Sequence, residues 1–134
     1  MDEAALRGIE LFAPLSRKQR RVLAMRADEL DLPAGKVLCA KGNPAHEFFV
    51  IESGTAKVVQ DGQYLDELGP GEFFGEMGLL EDAPRSADVI ATSPVRLIVM
   101  SRATLKELER ECPKVAKRIS RAIERRHEWL QPVP

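Results

Sequence analysis

Apolar positions recur along this chain in three rhythms. Over residues 1–30 they cluster as a helix would place them, first Ile9, Leu11, Phe12 and Leu15 around Pro14, then Val22, Leu23, Met25 and Ala27. Ser16 precedes the second group and suits an N-cap, since its hydroxyl can accept from a first-turn N–H. Over 31–100 the pattern shortens to β-rich runs at 37–40, 48–51, 56–59, 89–91 and 95–100. Turn residues separate them: Pro33-Ala34-Gly35, Gly42-Asn43-Pro44, Ser53-Gly54, Asp61-Gly62 and Gly69-Pro70-Gly71. Asp61-Gly62, between Val58-Val59 and Tyr64-Leu65, predicts a two-residue hairpin. Short strands at this spacing predict a sandwich or small barrel rather than a parallel sheet.

The helical rhythm returns at Ser101, another candidate cap, with Leu105 and Leu108 on one face. Pro113 interrupts, and a second helix is expected from about that point, because proline is tolerated in a first turn. Val115, Ala116, Ile119, Ala122, Ile123, Trp129 and Leu130 make one stripe on it, and Pro132 and Pro134 end it. Within the stripe, Val115, Ile119, Ala122, Arg126 and Trp129 follow the alternating four–three spacing of a coiled-coil seam, which permits a homodimer. The chain reads as one domain over 1–134: a helical segment 1–30, a β-region 31–100 and C-terminal helices 101–134.

Composition narrows the function classes. The 134 residues are 44% hydrophobic and 31% charged, a globular balance, and no apolar run approaches membrane-spanning length. The mixed, acidic N-terminus is not a signal peptide. Cys39 and Cys112 are far apart in sequence and read as free thiols of a reducing, cytoplasmic setting. With only His46 and His127 there are too few imidazoles for a zinc site or a cupin-type metal enzyme. His46 reads as an exposed turn residue, and Phe48 and Tyr64 as packing. Net charge is −1, yet Lys114, Lys117, Arg118, Arg121, Arg125 and Arg126 crowd the last helix against Glu124 and Glu128. That crowding is either a solvated face or a docking surface for an acidic protein partner or nucleic acid.

The chemistry concentrates at 73–89, FFGEMGLLEDAPRSADV. Gly75 and Gly78 leave room for a ligand's oxygens to approach the backbone, and first-turn N–H groups after them favour an anion. Arg85 could meet the same anion bidentately. Glu76 is an acceptor suited to a sugar hydroxyl, and Ser86 adds a short donor. A glutamate and an arginine nine residues apart are, by themselves, usually a surface pair of little worth. Glu81 and Asp82 between them read as loop surface.

The stretch resembles the phosphate-binding cassette of cyclic-nucleotide-binding domains, with Phe74, Gly75, Glu76, Leu79, Arg85, Ser86, Ala87 and Val89 at the pattern's positions. LFAPLS resembles the family's helical entry, and GKVLCAKGNPAHEFFVIESGTAKV resembles its first strands. The resemblance implies a mainly β fold, an antiparallel β-roll or jelly roll (a cupin-like double-stranded β-helix), with N-terminal helices and two C-terminal helices. It implies no catalysis and no cofactor. The implied ligand is 3′,5′-cyclic AMP, with cyclic GMP left open. Glu76 would bind the ribose 2′-hydroxyl and Arg85 the cyclic phosphate. Backbone N–H groups at Gly78 and Ser86 would reach phosphate oxygens, with Gly75 and Met77 lining the ribose. Val58 and Val89 would wall the base, and Trp129 would stack on it as a lid or else pack as core. A stand-alone sensor is expected, without a DNA-binding domain in this chain, signalling by movement of the C-terminal helices. A non-binding β-roll scaffold with a vestigial cassette is the alternative.

Overall fold

The computed structural model describes residues 1–40, 47–75 and 87–127. Its N-terminal part is α1 (Glu3–Arg7), a 3-10 turn (Glu10–Phe12) and α2 (Arg17–Arg26). Ser16 caps α2 as expected, accepting from the Gln19 N–H at 3.1 Å, while the Gln19 side chain accepts from the Ser16 N–H at 2.9 Å. This reciprocal capping box satisfies two otherwise orphaned donors. The helix stops at Arg26, so Ala27 is its C-cap and not its last turn.

Among the described residues eight strands follow: β1 (Asp28–Leu32), β2 (Val37–Cys39), β3 (Glu47–Ser53), β4 (Ala56–Gln60), β5 (Gln63–Leu68), β6 (Phe73–Phe74), β7 (Asp88–Ala91) and β8 (Val95–Ser101). They form two antiparallel four-stranded sheets, ordered β1-β8-β3-β6 and β2-β7-β4-β5. Two helices follow among the described residues, α3 (Arg102–Glu111), capped by Ser101, and α4 (Pro113–His127). This is the β-roll flanked by helices at both ends that the sequence implies.

In the first sheet β3, β6 and β8 are buried on both faces, and these strands are accordingly almost continuously apolar. In β3, Phe48 and Val50 face the helices while Phe49 and Ile51 face the second sheet. In β8, Ile98 and Met100 take the helix side and Val95, Leu97 and Val99 the inter-sheet side. The helix side is closed by Leu6, Phe12, Leu23, Leu105, Val115 and Ile119. The second sheet is covered on one face only, so β4 and β7 alternate. Asp61 (φ 53°) and Gly62 (φ 76°) make the expected β4–β5 turn, with Gln60 opposite Gln63. At the β3–β4 corner, Gly54 has φ 91°, and a Cβ there would lie 2.2 Å from the Pro94 carbonyl oxygen. Only glycine fits so close an approach of two backbones.

Two strands escape a reading of periodicity. β1, DELDL, carries three acids and lies at a sheet edge. β6 has two residues. Tyr64 also departs from expectation, being 58% exposed rather than packed. Phe48, in contrast, is fully buried.

Candidate functional site

The cassette-like sequence lies between two described strands, β6 before it and β7 after it. β6 pairs with β3 through Phe49↔Phe74 and Val50↔Phe73. Its approach is a tight turn at 69–72. The Gly71 N–H donates to the Ile51 carbonyl at 2.7 Å, the Ile51 N–H donates to the Glu72 carbonyl at 2.8 Å, and the Gly69 N–H donates to Glu72 Oε1 at 3.1 Å. The two phenylalanines then point to opposite faces, as successive strand residues must. Phe73 joins the helix-side core, its ring 5.5 Å from that of Phe48. Phe74 joins the inter-sheet core and stacks on Phe49 at 4.9 Å. Gly75 follows with φ 91°, a left-handed turn that ends the strand.

On the return side, Ala87 is buried and β7 begins at Asp88. Val89 lies directly opposite Val58 on β4 and Cys39 on β2. Val58 is 6% exposed and Val89 5%, and both belong to the inter-sheet cluster with Phe49, Phe74 and Ala87. Val58 and Val89 thus face each other across β4 and β7 and share the inter-sheet cluster with Phe74, the residue before Gly75. Cys39 shares that apolar wall, a neighbour that sequence reading does not select. Its signal is register: a bulge between Val37 and Cys39 sets it opposite Val89, and no local motif marks that pairing. Glu76, Met77, Gly78, Arg85, Ser86 and Trp129 lie outside the described residues, as does His46.

The C-terminal helices are tied to the same framework. Val115, Ile119 and Ala122 are buried in the chain's own helix-side core, so these seam positions are not an exposed dimer surface. Arg118 on α4 donates to the Glu10 carbonyl of the 3-10 turn, and Arg26 of α2 pairs with Glu107 of α3. Among the described residues, no group of three or more His, Cys, Asp or Glu side chains is arranged to hold a metal ion. Among them, no helix is long and apolar enough to cross a membrane.

Comparison with known proteins agrees with this architecture. The family model described as cyclic nucleotide-binding domain matches residues 29–112. The cAMP-dependent protein kinase regulatory subunit of Aspergillus niger is 33% identical over 110 residues, covering 81% of this chain and 27% of its own length. The chain therefore spans about a quarter of the curated relatives it matches. Among solved structures, cAMP-bound PfPKA-R superposes with a TM-score of 0.87 at 21% identity, covering 96% of this chain and 44% of that one. The regulatory subunit of a cAMP-independent protein kinase A from Trypanosoma cruzi, bound to guanosine, gives 0.80 at 21%, covering 90% and 44%. At those identities the structural likeness speaks for the fold, and the family match speaks for the kinship. The family match covers more than half of the residues and the relatives agree with it, so this chain belongs to the cyclic nucleotide-binding domain family.

Proposed function

We propose that this chain is a regulatory, non-catalytic sensor that binds a 3′,5′-cyclic nucleotide, cyclic AMP ahead of cyclic GMP, between β6 and β7. The observation that carries the reading is the family match across 29–112, which encloses the whole cassette sequence. It is supported by the apolar wall of Val58 and Val89 at the cassette's return to the roll. In this reading Arg85 meets the cyclic phosphate with two parallel N–H donors. Glu76, an acceptor when ionised, takes the ribose 2′-hydroxyl. Backbone N–H groups at Gly78 and Ser86 complete the phosphate cradle, Gly75 and Met77 line the ribose, and Val58 and Val89 flank the base. The relatives named as cAMP-dependent kinase regulatory subunits suggest an output through a protein partner. A cytoplasmic setting suits the two buried cysteines, Cys39 and Cys112, neither of which is in a disulfide.

Signalling would pass from the cassette to the C-terminal helices. A ligand shifts such an equilibrium only through its differential affinity for the two states. Phe73 and Phe74 offer the route, because they join the cassette's first strand to both cores at once.

Thermal melting with cyclic AMP, cyclic GMP, 5′-AMP and guanosine, in wild type and Arg85→Ala, tests the reading. A ligand at about one hundred times its Kd adds ~2.7 kcal/mol, which for a domain of this size is a shift on the order of ten degrees. The expected result is a large shift with one cyclic nucleotide, absent with 5′-AMP and lost in Arg85→Ala. No shift with any cyclic nucleotide would leave the cassette a shape without a ligand, and the scaffold reading would replace this one.

A further inference from the structure

The basic crowding of the last helix acquires a shape in the folded chain. Arg118, Arg121 and Arg125 of α4 line one side of an open groove of about 690 Å³, with Glu124 beside them. The other side is Glu10 and Leu11 of the 3-10 turn together with Gly71 and Phe73 of the turn and strand leading to the cassette. Leu11 and Phe73 are nearly buried and present only their edges. Positions 118, 121 and 125 fall on one helix face at three- and four-residue spacing, flanking the buried stripe of Val115, Ile119 and Ala122. Arg118 is anchored by its bond to the Glu10 carbonyl. Arg121 and Arg125 are exposed and form no ion pair among the described residues.

We infer that this groove docks an acidic peptide segment of a protein partner. Exposed guanidiniums that have no carboxylate partner among the described residues, set along a trough, fit Asp or Glu side chains at a matching spacing. The groove's own acids separate this from a nucleic-acid surface. Glu10 and Glu124 interrupt the positive row and would repel a continuous phosphate backbone, whereas in a peptide complex they can accept from backbone N–H groups. The chain's net charge of −1 points the same way. The inference stands on the groove alone and does not depend on cyclic-nucleotide binding.

Fluorescence anisotropy with the full chain tests it. The probe is a fluorescein-labelled peptide of repeating Glu-Glu-Leu, about a dozen residues long. Its Gln-Gln-Leu counterpart and a single-stranded DNA oligonucleotide of similar length serve as comparisons. The expected result is saturable, salt-sensitive binding of the acidic peptide. It should weaken by about tenfold or more in Arg121→Glu/Arg125→Glu, and also in the milder Arg121→Gln/Arg125→Gln should the reversed pair fail to fold. Lys114→Glu/Lys117→Glu, which reverses charge on the same helix outside the groove, should change affinity by less than about threefold. Equal losses in the arginine and lysine pairs, equal binding of the glutamine peptide, tighter binding of the oligonucleotide, or no saturable binding would each overturn the proposal.

Discussion

Glu52 stands where β3 slips past β8, between Ile51 opposite Leu97 and Ser53 opposite Arg96. One of its oxygens, Oε2, is buried without a hydrogen bond. Burial, and then the Glu29 carboxyl of β1, push its pKa up from 4.5 to about 7, with Asp31 adding to the rise and Arg96 opposing it. Arg96 is committed to Asp31, which it holds at 2.9 and 3.3 Å, and the ion pair keeps Asp31 below its ordinary value. The folded chain therefore holds a proton on Glu52 more tightly than the unfolded chain does. Stability contributed by that proton is full below 4.5, declines as pH rises toward about 7, and is gone above it. Glu52→Gln should flatten this decline and raise the melting temperature by a few degrees at about pH 8. A melting temperature with the same pH slope in both proteins would show that Glu52 titrates as an ordinary carboxyl. Nothing in ESGTAKV marks this residue, because its partners come from β1 and β8, more than twenty positions away in either direction.

Among the elements, β6 has the largest consequence for its length. Two consecutive aromatic residues in an extended segment must face opposite ways, so one strand touches both cores. Removing the Phe73 ring entirely would cost about 3–5 kcal/mol as a buried cavity, which would mask any effect on signalling. Phe73→Leu keeps most of the apolar volume while removing the ring contact with Phe48. Under the proposed function, cyclic AMP should alter amide hydrogen exchange in α4 of the wild type, and that change should be clearly smaller in Phe73→Leu. An undiminished response would route the coupling elsewhere. The elements that periodicity foretold are those with a buried face and a capped or punctuated end. These include α2 behind Ser16, α3 behind Ser101, the Asp61-Gly62 hairpin and the apolar runs of β3 and β8. β1 is an acidic edge strand, a composition that guards an edge against further pairing and conceals the strand from a hydrophobic pattern. It exists because β8 supplies its hydrogen bonds.

For the molecule as a whole, the proposed function makes a prediction at the C-terminal end. The resemblance leaves Trp129 two roles, a lid over the base or core packing, and one experiment separates them. Quenching of its fluorescence by cyclic AMP, and a weaker affinity in Trp129→Phe, is the outcome expected of a lid. Unchanged affinity in Trp129→Phe would make it packing. The seam through Val115, Ile119 and Ala122 shows the limit of a stripe read in isolation. The same spacing serves a partner helix or the chain's own core, and here the core takes it, since α4 packs on α3 and on the 3-10 turn. The sequence by itself determined the local matters: where helices are capped, which runs extend, which turns need glycine, and which residues match the cassette. Each depends on backbone geometry and side-chain chemistry within a few positions. The tertiary structure alone decided which face of each strand meets helices and which meets the other sheet, that Val58, Val89 and Cys39 share one wall, and that the Glu29 carboxyl comes close enough to raise the pKa of Glu52. It also decided that three arginines of the last helix border a groove with the turn before the cassette. Those relations join residues distant in sequence, and only the closing of two sheets and the packing of helices on one of them brings such residues into reach.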